Sequence, residues 1–173
     1  WAWRNQPKIR KFMFNDQPIE WSEHKAWFLK MLATQTPDFW IFHQNDQSIG
    51  VLNFKSEEKH IVTFGFYLGE ENVWPGSGLL LEIAALDYCA KQNEFTTLRA
   101  EVLSSNQSVI NLHQRFGYHV VNSLKNYRKQ DDVYLDKLIM ERTIADWGKD
   151  RRTIIGQLPK PYQLAAENMS FDE

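Results

Sequence analysis

The sequence predicts an α/β domain with a mixed central sheet flanked by helices. Three observations predict it. Segments of alternating or β-branched apolar residues recur at strand length, at 39–44, 48–55, 61–68, 97–103, 118–125 and 133–143. Stretches with apolar residues at helical spacing separate them, at 23–33, 78–93 and 106–116. The chain has 173 residues, 43% hydrophobic and 24% charged, which suits one domain with a substantial core.

Each element has a local reason. Residues 3–10 are polar and broken by Pro7, and residues 16–18 carry a turn signal. Ser22 is placed to cap a helix in which Trp27, Phe28, Met31 and Leu32 share a face. Asn45, Asp46 and Gln47 form a hairpin turn between the first two strands, and residues 56–59 a charged turn before the third. In the next helix Leu79, Ile83, Leu86 and Ala90 lie on one side. Residues 97–103 alternate, with Leu98, Ala100 and Val102 on one face and Arg99, Glu101 and Leu103 on the other. The short helix that follows turns Val109, Leu112 and Phe116 inward, and Gly117 ends it. A polar connection joins the last two strands. From Ala145 the pattern fades, and Pro159, Pro161 and the acidic end suggest a weakly packed tail or one that folds on a partner.

Composition excludes several functions. A formal net charge of −2 gives no electrostatic case for nucleic acid. No apolar run approaches about 18 residues, so no membrane span is expected, and no signal peptide is visible. The expectation is a cytoplasmic protein, although the chain opens at Trp1 without Met. The single cysteine, Cys89, sits in an apolar helical stretch. It excludes a disulfide framework and a multi-cysteine zinc site, and no metal is expected.

Residues 61–78 carry the first chemical signal. A strand ends near Leu68, a turn follows, and Val73-Trp74-Pro75-Gly76-Ser77-Gly78 opens directly into a helix. Glycines on both sides of Ser77 let the backbone approach a bound group closely. Amides at a helix start, with the helix dipole, favour an anion such as pyrophosphate. Alone, these residues suit a plain helix start equally well. They make neither a Walker loop nor a full dinucleotide fingerprint. About thirty residues later, Leu103-Ser104-Ser105-Asn106 ends a strand, and Leu112-His113-Gln114-Arg115-Phe116-Gly117-Tyr118 closes the helix after it.

Together the two segments resemble the acetyl-CoA-binding and following motifs of the GNAT superfamily of N-acetyltransferases, over roughly residues 49–141. The resemblance implies the acyl-CoA N-acyltransferase fold, with its first strand preceding Trp1, a catalytic domain at 1–144 and an extension at 145–173. It implies acetyl-CoA as co-substrate, its pantetheine arm bonded to the backbone around Phe66, Tyr67 and Leu68. Trp74, Pro75, Gly76, Ser77 and Gly78 would hold the pyrophosphate, and Asn106 would contact the arm near the thioester. The family's catalytic tyrosine position holds His113 here. Histidine can donate a proton to a leaving thiolate, or it can simply pack. Glu101 is the candidate to bind the acceptor ammonium or take its proton; a salt bridge to a neighbouring base is the structural alternative. Cys89 is a poor nucleophile, since its helical pattern buries it.

The N-terminal third bears on the acceptor. Trp3-Arg4-Asn5 and Glu23-His24-Lys25-Ala26-Trp27-Phe28 resemble the opening of a GNAT subgroup. It includes ribosomal-protein N-terminal acetyltransferases and acetyltransferases of UDP-linked 4-amino-4,6-dideoxy sugars in pseudaminic acid biosynthesis, which supplies flagellin glycosylation. The implied acceptor is a UDP-amino sugar, with Trp3, Arg4, Asn5, Arg10 and Trp27 as substrate-binding residues. Arg4, Lys8, Arg10 and Lys11 offer charge-assisted bonds to a diphosphate, or form a solvated basic surface. Trp3, Phe14, Trp27 or Tyr127 could stack on uracil. A peptide acceptor and a non-catalytic CoA-binding module are the rival expectations. A homodimer is compatible with each.

Overall fold

A computed structural model describes residues 1–34, 38–92 and 94–171. The chain runs α1 (Pro7–Arg10), α2 (Trp21–Thr34), β1 (Asp38–Gln44), β2 (Gln47–Glu58), β3 (Ile61–Leu68), α3 (Ser77–Lys91), β4 (Thr97–Leu103), α4 (Gln107–Arg115), β5 (His119–Gln130) and β6 (Val133–Thr143). A 3₁₀ turn (Ile144–Asp146), α5 (Trp147–Gly156) and α6 (Lys160–Asn168) follow. One six-stranded sheet has the order β1-β2-β3-β4-β6-β5. Every pair is antiparallel except β3 with β4. Parallel neighbours need a crossover, and α3 supplies it. The core lies between α3 and one face of the sheet, where Leu81, Ile83, Leu86, Leu98 and Met140 are fully buried.

Local chemistry explains the turns. Asn45 and Asp46 have φ of 50° and 62°, the left-handed pair that matches strand twist in a two-residue hairpin. Asp131 and Asp132, at 46° and 64°, do the same between β5 and β6. Gln47 is the first residue of β2 rather than part of the turn.

Several expectations are corrected. Pro7 starts a helix instead of breaking the segment, since its fixed φ and missing N–H suit the first turn. The second helix begins at Trp21, so Ser22 lies inside it and is not its cap. Residues 56–58 continue β2, paired to Val62 and Ile61, and the turn shrinks to Lys59 and His60. In the same way residues 126–130 extend β5 past the expected end at Lys125, across a register shift. Ala90 is exposed. In and just after α4, Ile110, His113 and Phe116 are buried; Val109 and Leu112 are half-buried, packed against the core and also bordering a cleft. The expected helix end at residue 93 and the acidic end at 172–173 lie outside the described residues.

The largest correction concerns residues 145–171, which do not form a weakly packed tail. Trp147 is 1% exposed, and Ile155, Leu158 and Ala166 join the main core. The Trp147 indole donates to Asp87 Oδ1 at 2.8 Å. Arg151 forks onto both oxygens of the same carboxylate at 2.7 and 2.8 Å. A sparse apolar pattern suffices here, because α3 offers a second apolar face that these few residues cover.

Candidate active site

The site begins where two strands part. β3 and β4 pair only from Ile61–Thr97 to Phe64–Ala100. Beyond that, β4 stays bonded to β6 through Leu103, and β3 stays bonded to β2 through Leu68. The facing edges of residues 65–68 and 101–103 therefore separate. The edges that no longer pair with each other border a cleft of about 1440 Å³, and the Gly65 carbonyl there accepts from Asn53 Nδ2 at 3.0 Å. An extended polar chain laid along β3 would find hydrogen-bond partners there, as an added strand does. Gly65, Phe66, Tyr67 and Leu68 line it from β3, and Ala100, Glu101 and Val102 from β4.

The Val73–Gly78 loop stands at one end. Gly76 has φ of +90°, a conformation that only glycine takes without strain. The loop is tied internally. The Trp74 amide and the Ser77 hydroxyl both donate to Gln44 Oε1, each at 3.2 Å. The Ser77 amide bonds to the Trp74 carbonyl and the Leu79 amide to that of Gly76. Ser77 is fully buried, with its hydroxyl also 2.8 Å from the Trp74 carbonyl. Ser77 therefore shapes the loop, and the amides of Gly76 and Gly78 have no protein acceptor among the described residues. Val73 and Gly78 border the cleft, whereas Trp74, Pro75, Gly76 and Ser77 stand beside it. Trp74 is 39% exposed.

α4 provides the other wall. Asn106 borders the cleft, and its carbonyl accepts from the Val109 and Ile110 amides to start the helix. His113, one helical turn beyond Val109, is 3% exposed and also borders the cleft. Its ring lies edge-on to Phe64 and Phe66. Its Nδ1 stands 2.9 Å from Glu82 Oε2, off the line of an ideal hydrogen bond. Glu101 borders the same cleft and is salt-bridged to Lys137 at 2.8 Å. The Lys137 ammonium also lies 4.9 Å from the Phe14 ring centre and 5.0 Å from that of Tyr127. Phe14 and Tyr127 meet edge to face.

The N-terminal segment forms the far wall. Arg4, Lys8, Lys11, Phe14 and Trp27 border the cleft. Arg4 donates to the Asn15 carbonyl through Nη2, while its Nη1 is buried without a partner. Burial pushes the Arg4 guanidinium down from its usual value, and Tyr67 partly offsets this. Trp27 packs edge-on against Phe39. The other three expected residues hold the segment in place. Trp3 donates to Glu70 at 2.7 Å and packs its indole against Gly69, where a Cβ would stand 2.1 Å from the ring. Asn5 exchanges two bonds with the Ile19 backbone. Arg10 donates to the Asp16 carbonyl. Trp3, Asn5 and Arg10 are not among the cleft residues.

Two charged groups at the site escaped the sequence reading. Lys137 has no local signal, since only strand pairing places it across from Leu103 and beside Glu101. Glu82 had one, as a lone carboxylate within Leu79-Leu80-Leu81-Glu82-Ile83-Ala84-Ala85-Leu86. Cys89 is buried, and burial pushes its thiol far up, so it is no nucleophile at neutral pH. Among the described residues no cluster of His, Cys, Asp and Glu could hold a metal. No helix there is long and apolar enough to cross a membrane.

A family model described as "Acetyltransferase (GNAT) domain" matches residues 1–119. The chain is 26% identical over 125 residues to "Acetyltransferase PseH" of Campylobacter jejuni, covering 72% of this chain and 78% of the relative. It is also 26% identical over 119 residues to "[Ribosomal protein uS5]-alanine N-acetyltransferase" of Escherichia coli, covering 65% and 60%. The fold matches that of spermidine N-acetyltransferase from Vibrio cholerae, solved with CoA and spermine. There the TM-score is 0.75 at 16% identity, covering 83% of this chain and 87% of that one.

Proposed function

The chain belongs to the GNAT acetyltransferase family and is an acetyl-CoA-dependent acetyltransferase, and on that premise we propose that its acceptor is the 4-amino group of a UDP-linked amino-dideoxy sugar. The observation that carries this reading is the composition of the wall opposite the strand gap. Arg4, Lys8 and Lys11 offer cations there, and Arg4 Nη1 is a buried donor in want of an acceptor. A diphosphate would supply one, with the strength of a charge-assisted bond. Trp27 and Phe14 are aromatic surfaces within the same cleft, suited to a uracil ring. The resemblance of the N-terminal segment to UDP-amino sugar acetyltransferases points the same way. It would place the product in pseudaminic acid and flagellin glycosylation.

The residues divide the chemistry as follows. The β3 backbone at 66–68, beyond its pairing with β4, holds the acyl-bearing arm, and an amide there polarises the thioester carbonyl. Gly76 and Gly78 amides face the pyrophosphate. Glu101 takes the acceptor's proton, directly or through water. To do so it exchanges its Lys137 partner for the substrate ammonium, which the Phe14 and Tyr127 rings can also accommodate. The amine nitrogen bonds to the acyl carbon, the carbon–sulfur bond breaks, and His113 protonates the sulfur.

Incubation with acetyl-CoA and either a UDP-amino sugar or an N-terminal peptide, following CoA release, tests the acceptor. Turnover with the sugar is expected. Turnover with peptide alone would establish the ribosomal-protein type of activity instead, and tight CoA binding without turnover would point to a non-catalytic module. Arg4→Ala should raise KM for the nucleotide sugar about tenfold with kcat near the parent value, the pattern of a lost uniform binding contact. A parental KM would remove Arg4 from the acceptor site. Gly76→Val forces a β-branched residue into left-handed backbone at about 1–2 kcal/mol. In isothermal titration it should weaken CoA binding about tenfold; unchanged affinity would take the loop out of the CoA site.

A further inference from the structure

Glu82 is fully buried on α3, and neither of its carboxylate oxygens has an aligned hydrogen-bond partner. A lone buried carboxylate is costly, and proteins keep one mainly where a specific partner or a function requires it. His113 Nδ1 stands 2.9 Å from Glu82 Oε2, bringing α4 against α3. The Tyr118 phenol faces the same carboxylate. Burial first, then Glu82, pushes that phenol well up, so it stays a protonated donor. Cys89 on α3 and Arg142 on β6 are the other ionisable groups around Tyr118. Arg142 is held by Asp150 at 2.7 Å, so its charge is already met. Phe64 and Phe66 of β3 complete the wall around His113 without adding charge. The protein thus builds a buried carboxylate–imidazole pair on a histidine that also borders the cleft.

We propose that Glu82 is a positioning residue for acetyl transfer, holding a proton on His113 Nδ1 so that Nε2 is the nitrogen presented to the thioester sulfur. The proposal rests on the acetyltransferase reading of His113 given above. The hydrogen bond made by one ring nitrogen fixes what the other can do. With Nδ1–H committed to Glu82, the doubly protonated ring gives its Nε2 proton to the departing sulfur as the carbon–sulfur bond breaks. It is left as the neutral Nδ1–H tautomer, and Nε2 is open to be reprotonated from the cleft. A neutral histidine without this partner favours the opposite tautomer and can turn the wrong edge to the site. The arrangement would let histidine replace a tyrosine donor, because a buried tyrosine needs no tautomer control.

The test uses the full-length protein with Glu82→Leu, which removes charge and acceptor at similar size, and Glu82→Gln, which keeps an acceptor without charge. Nitrogen-15 imidazole spectra of the CoA complex are expected to show the Nδ1–H form of neutral His113 in the parent and Glu82→Gln, and its loss in Glu82→Leu. No acceptor is needed for these spectra, so failure of the nucleotide-sugar reading leaves them decisive. With whichever amine turns over, kcat should fall about 100-fold in Glu82→Leu and less in Glu82→Gln, with CoA affinity retained. In a His113→Ala background, Glu82→Leu should cost nothing further, and its melting temperature should not fall. An unchanged tautomer in Glu82→Leu, or an equal loss of kcat with and without His113, would overturn the proposal.

Discussion

Replacing His113 with alanine should lower kcat by about 100-fold or more while leaving CoA affinity near the parent value. That range is typical for loss of a positioned proton donor. Affinity should survive because the contacts assigned to CoA lie on the β3 backbone, the Gly76 and Gly78 amides and Asn106, not on the imidazole. The alanine variant also strands Glu82 in the core. The cost is about 1–3 kcal/mol for an unsatisfied buried polar group, so the protein should remain folded but melt lower. His113→Gln separates the two effects, since its amide fills part of the space and can face Glu82 but cannot donate a proton as an acid. Steady-state kinetics with titration calorimetry decide the matter. A parental kcat in the glutamine variant would remove His113 from proton transfer.

Trp147→Ala should be the most destabilising single change outside the sheet, at about 3–5 kcal/mol. The indole is 1% exposed and packs on Phe116 and Arg142. Its N–H reaches Asp87 on α3. Domains are stable by about 5–15 kcal/mol, so this loss is a large share of the total. A urea melt should show a lower midpoint with an unchanged slope. A shift under about 1 kcal/mol would mean that the segment after Ile144 is dispensable to the core. The same packing reaches the cofactor loop. Tyr162 of α6 stands where a Cβ on Gly76 would meet its ring at 3.3 Å.

Much of the fold was legible because it is locally encoded. Residues 61–68, 97–103 and 133–143 are strands with the bounds expected from alternation and β-branching. Asn45 and Asp46 marked the first hairpin, while the Asp131–Asp132 turn read only as a polar connection. Errors arose where partners override composition. Charged residues at 56–58 read as a turn, but a neighbouring strand's backbone bonds keep them extended. The expected inward face of α4 was incomplete: Val109 and Leu112 pack against the core while also bordering the cleft, and the buried His113 joins Phe116 beside them.

At the site, glycine spacing, Asn106 and the closing Phe116-Gly117-Tyr118 were visible in one dimension, since each reports a backbone requirement of its own segment. That determined the family and its acetyl donor. The parting of β3 from β4 was not visible, because it depends on how far each strand stays bonded to its outer neighbour. Nor was the division of the N-terminal residues, in which Arg4 and Trp27 border the cleft while Trp3, Asn5 and Arg10 brace the chain. Both Glu101–Lys137 and Glu82–His113 join residues more than thirty positions apart. Sequence periodicity fixes which face a side chain takes, but an electrostatic partner is chosen by burial and proximity, and those exist only once the elements have packed.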